Sequence, residues 1–133
     1  MASLDTNCLL RWFLDDIPEQ RERVEALINS GQTLSVDDVV IVEATFVLEK
    51  GAHLSRTTIQ DFFTTAMAQP IRLNRALWTD IFRIWVTHPK LSIVDVYLSH
   101  KVDDNHDNPV YTFDKKMVNQ LGNTCIVPDL VHD

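Results

Sequence analysis

The sequence predicts an α/β protein, three layers deep, built on a short parallel sheet of about five strands. Short β-type segments alternate with amphipathic stretches of helical period, helix-start and helix-stop residues punctuate the alternation, and no repeat or low-complexity tract interrupts it. Parallel neighbours need crossover connections, which are usually helical, so the alternation calls for helices on both faces of the sheet. At 133 residues the chain has about one domain's length, and we read 1–133 as a single domain.

Residues 2–4 form a brief strand ending at Asp5, and residues 8–14 form a helix stopped near Pro18. Pro18-Glu19 suits the first turn of a second helix, whose Val24, Leu27 and Ile28 hold one stripe until Ser30-Gly31 closes it. Residues 33–36 are β-type. Asp37 or Asp38 then caps a helix running through Lys50, with Gly51 as its stop. Ser55 caps the next helix, in which Ile59, Phe62, Phe63, Ala66 and Met67 keep helical period until Pro70. Residues 71–73 are a candidate strand, and Leu77, Ile81, Phe82, Trp85 and Val86 make a wide helical stripe. Ser92-Ile93-Val94-Asp95 matches the S-x-x-D start signal of a helix reaching about Val102, followed by a polar loop over 103–108. Residues 110–113 are β-rich, 115–121 helical with Gly122 behind, and 124–127 a last strand.

Apolar residues make up 45% and charged residues 23%, with 3 Gly and 5 Pro, a composition that can bury a core. The net charge of −7 argues against a generic basic clamp on duplex DNA, because non-specific affinity comes from phosphate neutralisation. Cys8 and Cys125 stand far apart without a CxxC motif, so zinc–thiolate chemistry is unsupported and a reducing, cytoplasmic setting is expected. No basic segment precedes an apolar stretch at the N-terminus, and the longest apolar run, 39–42, is far short of the roughly 18 residues that span a membrane.

In open parallel sheets ligands bind beyond the carboxyl ends of the strands. Asp5 follows the first strand and Asp114 the fourth, although each also precedes a helix and N-capping would explain either one alone. Glu43 shares a helical face with Val39 and Val47, which places a carboxylate on an apolar surface. There it needs a metal or a buried ion pair with an Arg or Lys. Asp95 is the N3 residue of a capping box, beside the stripe of Leu98 and Val102. Together the four acids make an oxygen-only set suited to Mg²⁺ or Mn²⁺, a cation that would relieve their mutual repulsion and activate water against a phosphodiester.

Leu4-Asp5-Thr6-Asn7, Val42-Glu43-Ala44-Thr45-Phe46-Val47-Leu48, Ser92-Ile93-Val94-Asp95-Val96-Tyr97-Leu98 and Tyr111-Thr112-Phe113-Asp114-Lys115-Lys116 resemble, in that order, the motifs of the PIN-domain family. Within it the chain resembles the VapC-like ribonuclease toxins of type II toxin–antitoxin pairs. The resemblance implies a metal site at Asp5, Glu43, Asp95 and Asp114, with Thr112 as the hydroxyl residue beside the last aspartate and Asn7 as a supporting residue. It also implies RNA phosphodiester hydrolysis with Mg²⁺ or Mn²⁺, leaving a 5′-phosphate and a 3′-hydroxyl, a small antitoxin partner and a homodimer. The stretch 100–107 is more acidic than this pattern, so Asp103 or Asp104 either adds a ligand or belongs to a solvated loop.

Other constellations are absent or weak. The five histidines show no HExxH spacing, no GxxxxGK[ST] or GxGxxG occurs, and no serine sits in a nucleophile elbow. Trp12, Trp78 and Trp85 fall on helical stripes and are expected in core or interface packing rather than base stacking. Arg11, Lys115 and Lys116 either meet RNA phosphates or are solvated charges. A receiver-type phosphoacceptor would want an aspartate after the third strand, where Asn74 stands, and an aspartyl-nucleophile hydrolase would want DxD where Asp5-Thr6-Asn7 stands. The alternative to the nuclease is a catalytically inactive PIN-like scaffold that binds RNA or protein.

Overall fold

The computed structural model describes residues 2–107 and 109–128, with Asp104 described by its backbone alone. The chain divides into two compact units, Met1–Arg75 and Ala76–Asp133.

In the first unit, β1 (Ala2–Ser3), β2 (Leu34–Ser35) and β3 (Ile71–Arg72) form a parallel ladder with β2 in the middle. Ala2 pairs with Leu34 and Leu34 with Ile71, and Leu34 and Ile71 are buried. Pairing continues past the strand ends, where Leu4 N donates to Ser35 O at 2.9 Å and Val36 N to Arg72 O at 3.0 Å.

The helices of this unit are α1 (Thr6–Leu14), α2 (Pro18–Ile28), α3 (Asp38–Phe46) and α4 (Arg56–Met67). Their starts obey the local signals. Asp5, Asp37 and Ser55 are extended-backbone N-caps whose side chains accept the N–H of Cys8, Val39 and Thr58, and Pro18 opens α2. The buried stripe of α4 is Ile59, Phe63 and Ala66. Phe13 of α1 stacks on Phe62 at 5.1 Å between centroids and meets Phe63 edge-on at the same distance. Arg75 closes the end of α4, its guanidinium donating to Met67 O, Gln69 O and Ile71 O at 2.9, 3.0 and 2.9 Å.

The exit from α3 differs from expectation. A π-helical turn (Val47–Gly51) replaces the last α-turn, with Ala52 N donating to Val47 O at 2.9 Å. Gly51 is the last residue of that turn, and the left-handed residue that redirects the chain is His53, at φ 57°. A half-buried ion pair stands at this bend, Arg56 Nε to Glu49 Oε2 at 2.7 Å.

The second unit contains α5 (Arg75–Thr87) from Ala76 onward, then α6 (Ile93–Asp104), β4 (Val110–Tyr111), α7 (Lys115–Gln120) and β5 (Cys125–Ile126). Its core is aromatic. Trp78 and Trp85 are fully buried, Trp78 stacks on Tyr97 of α6 at 5.3 Å, and Phe82 meets Trp85 edge-on at 6.1 Å. β4 and β5 pair in parallel, Val110 with Cys125 and Tyr111 with Ile126, and Thr112 N extends the ladder to Ile126 O at 2.9 Å. α6 runs two residues beyond Val102, absorbing the start of the expected polar loop.

All five expected strands are present and all pair in parallel, so the class is α/β as predicted. Their hydrogen-bonded ladders are a three-stranded and a two-stranded one, each strand only two residues long. Among the described residues, no helix is long and apolar enough to cross a membrane.

Candidate functional site

Asp5 is exposed, directly beyond the β1–β2 pairing, and its Oδ1 accepts from Cys8 N at 2.9 Å. Asn7 is exposed in the first turn of α1. The Cys8 thiol beneath them is pushed above its ordinary pKa, first by burial, then by its hydrogen bond to the Asp5 carboxylate and by that group's negative charge. Cys8 is therefore a protonated thiol at neutral pH.

Glu43 is exposed, which corrects the expectation of a carboxylate on a packed apolar face. α3 buries Ile41, Ala44 and Thr45 instead, and the flank carrying Glu43 is largely in water, with Val39 68% and Phe46 60% exposed and Val47 half-buried. Because the run 39–42 is apolar on every side, periodicity could not tell which flank of α3 packs. Among the described residues no ion pair involves Glu43, so the buried-pair alternative fails as well.

In the second unit Asp95 is half-buried and completes a reciprocal capping box. Its Oδ2 accepts from Ser92 N at 3.0 Å while its own N–H donates to Ser92 Oγ at 3.1 Å. Asp114, also half-buried, caps α7 through Oδ1, which accepts from Lys116 N at 2.9 Å. Its N–H donates to Thr112 Oγ1 at 3.0 Å, so Thr112 holds the backbone that carries Asp114.

Capping and ligation are compatible. A carboxylate offers about four lone-pair sites, and each of these three aspartates uses one named oxygen for its cap. Within neither unit, among the described residues, do three or more acidic, His or Cys side chains gather into a cluster that could hold a metal ion. Asp103 lies in the last turn of α6 and lines a cavity of about 510 Å³ with Ser99, Asn119 and Thr124. Thr124 immediately precedes β5 whereas Asp114 comes after β4, so this cavity lies at the opposite end of the ladder from Asp114. The side chain of Asp104 lies outside the described residues.

A scan against protein-family models matches the PIN domain over residues 2–120. The chain belongs to the PIN domain family. Searches of curated proteins and of solved structures returned no match. PIN domains are generally metal-dependent nucleases, and the matched span includes Asp5, Glu43, Asp95 and Asp114. The α/β architecture agrees with the family's fold.

Proposed function

We propose that this PIN-domain protein is a divalent-metal-dependent ribonuclease, 1–133 forming a single PIN-like domain. Asp5, Glu43, Asp95 and Asp114 are its metal-binding and catalytic residues. We further propose that it is the toxin of a toxin–antitoxin pair, held by a small antitoxin, homodimeric and cytoplasmic. The observation that carries the nuclease reading is the family match, whose span runs through both units and covers all four acids.

The donor chemistry fits a hard cation, since the four residues offer carboxylate oxygens only. When bound, Mg²⁺ or Mn²⁺ would polarise the attacking water and offset charge on the phosphate. The chain's own contribution is to hold the acids in place. The caps tie Asp5, Asp95 and Asp114 to helix starts, and Thr112 and Ser92 fix the backbone around two of them. Groups anchored in this way lose little freedom when they bind a ligand.

The test is cleavage of a panel of structured RNAs by purified protein with Mg²⁺ or Mn²⁺, against EDTA, against Asp95→Asn, and against Ser92→Ala. Ser92→Ala breaks the same capping box without removing the carboxylate, so it separates a damaged helix start from a lost ligand. Metal-dependent cutting that disappears in Asp95→Asn and survives in Ser92→Ala supports the reading. Absence of cutting by the folded wild-type protein favours the inactive scaffold.

A further inference from the structure

The first unit holds a cavity of about 310 Å³ whose wall is cationic. Gln32 and Thr33 lead into β2, Pro70 leads into β3, and the buried Ile71 forms part of the wall. Arg72 and Arg75 are its only charged lining residues, and neither 29–36 nor 69–76 contains an Asp or Glu. In a chain with 12 Lys and Arg against 19 Asp and Glu, two cations on one cavity without an acid in its wall run against the composition. The residues that lead into β2 and β3 stand at the amino end of the parallel ladder, whereas Asp5 follows β1 at its carboxyl end, so the cavity is separate from Asp5.

Arg75 is held in place by the protein itself. Its Nε donates to Met67 O at 2.9 Å, and its Nη2 to Gln69 O at 3.0 Å and Ile71 O at 2.9 Å. These bonds fix the guanidinium plane and leave Nη1, with two N–H groups, outside them. Closing the end of α4 accounts for the bonded edge of the guanidinium and not for the other. A donor fixed in this way loses little freedom when it binds a ligand. Arg72 is exposed on β3, and Thr33 and Gln32 add a hydroxyl and a carboxamide to the same wall.

Guanidinium groups match oxyanions in both charge and fork geometry. A phosphate monoester carries about −1.5 to −2 charges near neutral pH, which two guanidiniums balance more closely than they would the single charge of a carboxylate or a phosphodiester. The volume stands at the small end of ligand sites and suits a compact anion.

We propose that this cavity binds a phosphate monoester, with Arg75 Nη1 and Arg72 as charged donors and Thr33 as a neutral one. A free mononucleotide and the 5′ end of an RNA chain both carry this group. The inference does not depend on the ribonuclease reading, because the site lies apart from Asp5.

The experiment follows the amide and arginine Nε–H signals of the ¹⁵N-labelled full chain by NMR, in EDTA so that no divalent ion holds phosphate at the acids. The titrants are inorganic phosphate, a nucleoside 5′-monophosphate, and one short RNA with either a 5′-phosphate or a 5′-hydroxyl, all at constant ionic strength. Wild type is compared with Arg72→Gln, Arg72→Lys and Arg83→Gln, each checked for folding by circular dichroism. Arg72→Gln leaves the Arg72 backbone and its bond from Val36 N in place, and Arg83 is an exposed residue of the second unit outside the cavity. The proposal expects the signals of Gln32, Thr33 and Arg75 Nε to move with phosphate and monophosphate. Arg72→Gln should weaken binding roughly 10- to 100-fold, as for loss of a hydrogen bond to a charged group. Arg72→Lys, which keeps the charge and loses the fork, should fall between, and Arg83→Gln should match wild type. Tighter binding of the 5′-phosphorylated RNA than of the mononucleotide would support the site with an RNA end as its ligand, and the reverse would support it with the free nucleotide. No movement of these signals with any phosphate monoester overturns the proposal. Equal weakening by Arg72→Gln and Arg83→Gln overturns it in favour of a general charge effect, and equal movement with the 5′-hydroxyl RNA overturns the monoester in favour of backbone phosphates.

Discussion

Asp5 carries two roles that a pair of substitutions can separate. As N-cap of α1, its Oδ1 accepts the Cys8 N–H at 2.9 Å, and as a proposed metal ligand it supplies a negative oxygen. Asp5→Ala removes both. Loss of an N-cap acceptor costs about 1 kcal/mol, within a range of about 0.5–2. With a urea dependence of about 2 kcal/mol per molar, expected for a chain of this size, the unfolding midpoint falls by about 0.5 M. Asp5→Asn keeps a capping oxygen, and Asn ranks with Asp as an N-cap, so its midpoint stays within about 0.2 M of wild type. The Asn side chain is neutral and a poor ligand for a hard cation, and its metal-dependent cleavage should fall by at least about 100-fold, the upper end of what losing a merely supporting group costs a metal site. The assay is a urea titration monitored by circular dichroism, alongside RNA cleavage with Mn²⁺. Asp5→Asn cutting RNA at the wild-type rate would refute ligation and leave Asp5 as a cap only. An Asp5→Asn midpoint as low as that of Asp5→Ala would refute the separation itself.

The packing and the hydrogen bonds set three further outcomes. Phe63→Ala empties a buried site against Phe13 and should cost about 3–5 kcal/mol, read from the same urea titration; a loss under about 1 kcal/mol would mean that the site collapses around the gap. Thr112→Val removes the acceptor for Asp114 N–H, so cleavage should drop with a stability loss of about 1 kcal/mol, whereas unchanged cleavage would show that Asp114 needs no such support. The raised Cys8 pKa means that folding favours the protonated thiol. Its stabilising increment is present below the ordinary thiol pKa and is lost as pH rises through the folded value. Alkylation of Cys8 measured against pH should therefore show a midpoint above that of a free cysteine, moving down in Asp5→Asn because one cause of the shift is the Asp5 charge; an unmoved midpoint would leave burial as the whole cause.

The sequence by itself carried the caps at which most of the helices begin, although the first helix, read over 8–14, starts at Thr6. Asp5, Asp37, Ser55, Ser92 and Asp114 cap helices by bonds that reach two or three residues along the chain, and a bond that local depends on little besides the residues it joins. The core faces of α4 and α5 were legible for a similar reason, since their apolar residues fall on a single stripe. The four acids were legible as residues, and the family match spans them. The environment of Glu43 was not legible, because the run 39–42 before it is apolar on every side and only packing chose Ile41, Ala44 and Thr45 as the buried side of α3. The π turn after Phe46, and the grouping of five strands into ladders of three and two, also needed the tertiary structure. Strand pairing joins residues more than ten positions apart, such as Ala2 with Leu34 and Val110 with Cys125, and no spacing within a strand encodes its partner.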